Sequence, residues 1–247
     1  MKIVAIGGGE IGRPGTSIET EAIDREIIKL SNKQNPTLLF LPTASHDSDD
    51  YVEVVQKYFG GRLGCNVHTL RLWNDNLSLT EMETMILSAD IIYVGGGNTR
   101  EMIDLWQKKG LDKLLKQAGD EGIVLSGLSA GAVCWFKESN SDSEKIMDPD
   151  ADYIKIDCLN FVPLFVCPHF DMEKDREPSL KKMLEDAGGA AIAIDNCAAL
   201  KIIDNTYQVI RSKPGASAYL CFWERGKFIK RNLNAEEKLP LENLLMA

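Results

Sequence analysis

A serine becomes a nucleophile when a turn lifts its hydroxyl clear of the chain and a base can take its proton. The segment Gly127-Leu128-Ser129-Ala130-Gly131 meets the first condition. It follows Gly122-Ile123-Val124-Leu125, an apolar run of strand length, and precedes a stretch of helical pattern from Ala132 to Phe136. In that context G-x-S-x-G is a strand-to-helix elbow that holds the hydroxyl above the carboxyl edge of a sheet. Its flanking residues are small because a side chain there would meet neighbouring backbone. The Ala130 N–H then points where an oxyanion would form. The purely structural reading is a turn in which the serine caps a helix.

A second loop, Val94-Gly95-Gly96-Gly97-Asn98-Thr99-Arg100, also joins a strand to a helix. Its glycines let backbone approach a ligand, and its N–H groups can complete an oxyanion hole or hold a carboxylate. Read alone, it is equally a flexible connection.

The base must come from three histidines. His68 lies within the strand-like run Asn66 to Leu72, where exposure or a structural role is the simpler reading. His46 sits in Thr43-Ala44-Ser45-His46-Asp47, a loop at a strand's end that can line the same cleft. His169 directly follows an apolar strand in Val166-Cys167-Pro168-His169-Phe170, and its position makes it the preferred base. For the orienting acid, Asp142, Glu144 and Asp148 lie between nucleophile and base, and Asp24 lies near the start of the first helix. Any one of these carboxylates is otherwise solvated surface. Gly7-Gly8-Gly9-Glu10-Ile11-Gly12 matches the dinucleotide fingerprint, but Pro14 and Gly15 interrupt the helix that fingerprint needs.

These loops need a scaffold, and short apolar runs alternating with helical stretches provide one. Strands are expected at Lys2 to Gly7, Thr37 to Leu41, Asn66 to Leu72, Ile91 to Val94 and Ile123 to Leu125. Helices are expected at Glu19 to Ser31, Asp49 to Phe59, Thr80 to Ser88, Asn98 to Lys108 and Leu111 to Ala118, with a capping box at Thr80 and Glu83. Beyond Cys158 the pattern becomes a strand at Leu164 to Cys167, a helix at Arg176 to Ala187 and short strands from Ala190 to Lys230. The last part reads as an antiparallel extension of one domain over residues 1–247.

The 247 residues are 44% hydrophobic and 26% charged, a globular composition. A net charge of −9 argues against a nucleic-acid surface, which needs clustered cations. The first residues read as a buried strand and no apolar run is long enough to cross a bilayer, so a cytoplasmic protein is expected. The six cysteines form no C-x-x-C pair and are expected as buried thiols, without metal.

The motifs Ile3-Val4-Ala5-Ile6-Gly7-Gly8-Gly9, Phe40-Leu41-Pro42-Thr43-Ala44-Ser45, Val94-Gly95-Gly96-Gly97-Asn98-Thr99, Gly127-Leu128-Ser129-Ala130-Gly131-Ala132 and Pro168-His169-Phe170 span most of the chain. In this order they resemble the serine peptidases that include aspartyl dipeptidase (peptidase E) and cyanophycinase, closest to a less characterised bacterial branch. The resemblance implies a three-layer α/β/α sandwich with a mostly parallel sheet, similar to class I glutamine amidotransferases. It also implies peptidase activity on short peptides without a cofactor, as a monomer or homodimer. Ser129 would attack, His169 would shuttle the proton, and Asp142 or Asp24 would orient it. Gly96 or Gly97 would join Ala130 at the oxyanion. Asn98, Thr99 and Arg176 would bind substrate, Arg176 by pairing with an N-terminal aspartate through its planar fork. An amidase or glutamine amidotransferase-like hydrolase shares these features, and a non-catalytic small-molecule binder would keep the glycine loops without joining Ser129 to His169.

Overall fold

The computed structural model describes residues 1–233 and 237–245. Five segments form its parallel centre: β1 (Lys2–Ile6), β2 (Thr37–Leu41), β3 (Asn66–Thr69), β4 (Ile91–Val94) and β5 (Val124–Leu128), in the order β1-β5-β4-β2-β3, with the polar β3 at the edge. Side chains alternate between two cores, as a strand covered on both faces requires. Ile3, Leu39, Ile92 and Leu125 face one core. Val4, Leu38, Ile91 and Val124 face the other. Each such side chain contributes roughly 1.5–3 kcal/mol when withdrawn from water.

Helices α1 (Glu21–Leu30) and α2 (Asp49–Val55) cover one face, and α2 continues into a π-helical turn, Gln56–Arg62. Helices α3 (Leu79–Leu87), α4 (Thr99–Lys109) and α5 (Leu111–Asp120) cover the other. The capping box lies two residues earlier than expected. Ser78 caps α3 by accepting from Glu81 N–H, and the Glu81 carboxylate accepts from Ser78 N–H at 2.8 Å. Thr80 is already inside the helix.

After β5 comes α6 (Ala130–Val133), one turn long rather than continuing to Phe136. Trp135 and Phe136 are fully buried, and the Trp135 carbonyl accepts from Phe161 N–H, so the chain leaves the helix to enter a second sheet. That sheet comprises β6 (Phe136–Ser141), β7 (Ile154–Asp157), β8 (Val162–Cys167), β9 (Ala190–Ile194), β12 (Ala218–Glu224) and β13 (Lys227–Asn232), with β6, β8 and β9 parallel. Helix α7 (Arg176–Ala187) packs on it. Between β9 and β12 run β10 (Ala198–Ile203) and β11 (Thr206–Arg211), which extend the first sheet antiparallel to β1. The expected antiparallel extension is therefore divided between two sheets. One core joins them, with Ile3 and Leu125 in the same cluster as Val166, Ile192 and Leu220. Among the described residues no helix is long and apolar enough to cross a membrane.

Candidate active site

Three consecutive residues at the end of β1 tie the site together. The carbonyl of Ile6 accepts from Ser129 N–H at 3.0 Å, that of Gly7 from His169 N–H at 3.1 Å, and that of Gly8 from Cys197 N–H at 2.8 Å. Segments following β5, β8 and β9 are thereby drawn to one point, where the carboxyl ends of strands from both sheets converge.

Ser129 sits at φ 58° and ψ −114°, in the left-handed half of backbone space. For a non-glycine residue that costs on the order of 1–3 kcal/mol and is held by its surroundings. Gly127 and Gly131 make the elbow possible. A Cβ on Gly127 would lie 2.4 Å from the Gly131 carbonyl oxygen, and one on Gly131 would lie 2.0 Å from the Val94 oxygen. The elbow is consequently pressed against the end of β4, beside the glycine loop.

The structure brings Ser129 and His169 together, with Oγ 2.8 Å from Nε2. Behind the ring, His169 Nδ1 lies 2.7 Å from Asn196 Oδ1. An amide oxygen only accepts, so Nδ1 carries the proton and the bare Nε2 faces the serine hydroxyl. His169 is itself held at φ 51°. Asn196 N–H donates to Asp171 Oδ1 at 2.7 Å, which fixes the backbone that presents the amide. Gly8 leaves the space: its Cβ would fall 2.0 Å from Asn196 Oδ1 and 2.3 Å from His169 Nδ1. The glycines of the apparent dinucleotide fingerprint thus clear room for a histidine and an asparagine.

Neither expected acid reaches the histidine. Asp24 is fully buried in α1, where its Oδ2 accepts from Thr20 and Tyr58 hydroxyls at 2.7 Å each. Burial pushes its carboxyl up to about 7. Asp142 follows β6 and lies 3.6 Å from Arg176, and Glu144 pairs with Arg100. Asn196 was absent from the sequence-based candidates because asparagine after a strand is ordinary turn chemistry. Its place depends on β8 and β9 being neighbours.

The expected substrate contacts also move. Arg176 is wholly buried, donating from Nε to Glu173 at 2.8 Å and from Nη1 to the Asn140 carbonyl at 2.9 Å, with its guanidinium 4.4 Å from the Tyr153 ring centre. It ties α7 to β6 and does not line the cleft. Asn98 caps α4, accepting from Glu101 N–H at 3.2 Å, and both it and Thr99 are buried. His46 is exposed, 2.5 Å from Glu101, and His68 pairs with Asn66 on the outer strand.

Ser129 and His169 lie in a cleft of about 880 Å³ between the loop preceding α1 and helix α2, which Gly96, Gly97, Tyr51 and Asn196 also line. In the preceding loop Arg13 donates to Glu10 at 2.9 Å and holds that carboxyl below its ordinary range against the opposing effect of burial. Gly96 N–H donates to the Tyr51 hydroxyl at 3.3 Å. Among the described residues no protein acceptor engages the N–H of Gly97 or Ala130.

A serine on a strand-to-helix elbow, with a histidine of fixed tautomer against it, is the arrangement of a serine hydrolase. The chain belongs to peptidase family S51, whose model matches residues 3–210. It is 36% identical over 222 residues to YgaJ, an uncharacterised peptidase of Bacillus subtilis strain 168, covering 88% of this chain and 90% of that one. Among solved structures it resembles a putative peptidase E protein from Listeria monocytogenes EGD-e, with a TM-score of 0.63 at 25% identity over 86% of this chain and 98% of that one. Its fold is also similar to that of a peptidase from an acI-B1 Actinobacterium, with a TM-score of 0.73 at 19% identity over 97% and 96% of the two chains. The protein is a peptidase of serine type.

Proposed function

We propose that this peptidase hydrolyses short peptides through an acyl-enzyme on Ser129. His169 Nε2 takes the Oγ proton as the oxygen attacks the scissile carbonyl and returns it to the leaving amine; water, deprotonated by the same nitrogen, then releases the acyl group. Asn196 holds the imidazole in the tautomer this requires. The Ala130 and Gly97 N–H groups are the backbone donors for the oxyanion. The observation that carries this reading is the 2.8 Å approach of Ser129 Oγ to His169 Nε2.

Short substrates suit a cleft of about 880 Å³ enclosed between a loop and a helix. A preference for N-terminal aspartate loses the support that Arg176 offered, since that guanidinium lies inside the protein. The test is a panel of free dipeptides, N-blocked dipeptides and simple amides, including glutamine. Hydrolysis of free dipeptides, abolished by Ser129→Ala, is expected. Turnover confined to simple amides would place the chain with the amidases.

A further inference from the structure

We propose that the Tyr51 hydroxyl is a donor to the oxyanion and that the Gly96 amide acts through it. The inference rests on Ser129 being the nucleophile. Tyr51 stands on α2, its ring packed edge-on against Phe40 with centroids 5.1 Å apart. The ring edge lies against the glycine loop, since a Cβ on Gly95 would fall 2.8 Å from Tyr51 Cε1. Its oxygen is 3.3 Å from Gly96 N. Gly96 in turn lies beside the nucleophile, where an added Cβ would be 3.3 Å from Ser129 Cβ. Tyrosine, amide and serine therefore share one wall of the cleft.

A phenolic oxygen has two lone pairs and one proton. One lone pair takes the Gly96 N–H, so this amide is not free to meet an oxyanion directly. The Tyr51 proton has no acceptor among the described residues. Donation from Gly96 polarises the O–H and strengthens it as a donor. Burial raises the phenol above its ordinary range and keeps that proton in place at neutral pH.

During acylation Ser129 Oγ bonds to the carbonyl carbon, its proton moves to His169 Nε2, and the carbonyl π pair passes to oxygen. Tyr51 O–H joins the Ala130 and Gly97 N–H groups in donating hydrogen bonds to that oxygen, without transferring a proton. When the C–N bond breaks, the pair returns and His169 gives its proton to the amine.

Tyr51→Phe keeps the ring and removes the donor. On the best dipeptide of the panel, kcat is expected to fall by about 10²–10³, the effect of losing one oxyanion donor, with KM within about threefold. A positioning role alone would not produce the second readout. The amino aldehyde sharing that substrate's N-terminal side chain forms a tetrahedral adduct with Ser129, whereas the matching amino alcohol does not. The variant is expected to lose aldehyde affinity by the same factor as kcat and to keep alcohol affinity. Aldehyde binding and kcat both within threefold of wild type would overturn the proposal, as would equal losses for aldehyde and alcohol. If the Ser129→Ala variant still hydrolyses the dipeptide, the nucleophile assignment fails instead, and the two failures are told apart.

Discussion

At His169 the useful proton is decided by a neutral neighbour. Asn196 Oδ1 can only accept, so the imidazole presents its bare nitrogen to Ser129 without a carboxylate behind it. Asn196→Ala should lower kcat by about 10²–10⁴ while leaving KM within about threefold, because the ring loses its tautomer and orientation. Asn196→Asp, which also accepts from Nδ1–H, should stay within about tenfold of wild type; steady-state kinetics on one dipeptide compares the two. Gly8→Ala tests the same pair from the other side. Its methyl would stand 2.0 Å from Asn196 Oδ1, so activity should drop at least about 100-fold with the thermal midpoint nearly unchanged. Full activity in that variant would show that the pair can shift without cost.

Among the elements, α1 and α7 each carry a buried ionisable side chain that serves the fold. The carboxyl of Asp24 has a folded pKa of about 7, above its unfolded value near 3.8. The folded state binds the extra proton between those values. Its contribution is full below pH 3.8 and lost as pH rises through 7, on the order of 4 kcal/mol. Urea midpoints of the wild type should therefore fall between pH 5 and 8 more steeply than those of Asp24→Asn; parallel slopes would refute the linkage. Arg176→Ala takes a donor from the Asn140 carbonyl, while Glu173 keeps partial contact with water, and should destabilise by about 1–3 kcal/mol. Any activity loss should be equal for acidic and neutral dipeptides, as a substrate panel measured below the unfolding midpoint would show.

Across the whole molecule, legibility followed how local each signal was. The five parallel strands and Ser129 were readable because an apolar run, a turn and a helix lie next to one another in the chain. The short strands after β8 were visible as strands, yet their division between two sheets was not, since partner choice is set by tertiary packing. Asn196 was hidden for that reason, and Arg176 was misplaced because a spacing after a histidine does not reveal burial. Pro14 and Gly15 already argue against a cofactor loop at the glycines after β1, but what those glycines make room for depends on segments distant in the chain. The proposed active site spans both sheets, with serine from one and histidine and asparagine from the other, so on this reading a single reactive serine expresses the assembly of the whole chain. Intact-mass measurement after treatment with a fluorophosphonate probe reads that property directly. Wild type should gain one adduct, located on Ser129 and blocked by excess dipeptide substrate, and Ser129→Ala should gain none and hydrolyse no dipeptide. An adduct elsewhere, or dipeptide hydrolysis persisting in Ser129→Ala, would contradict the account.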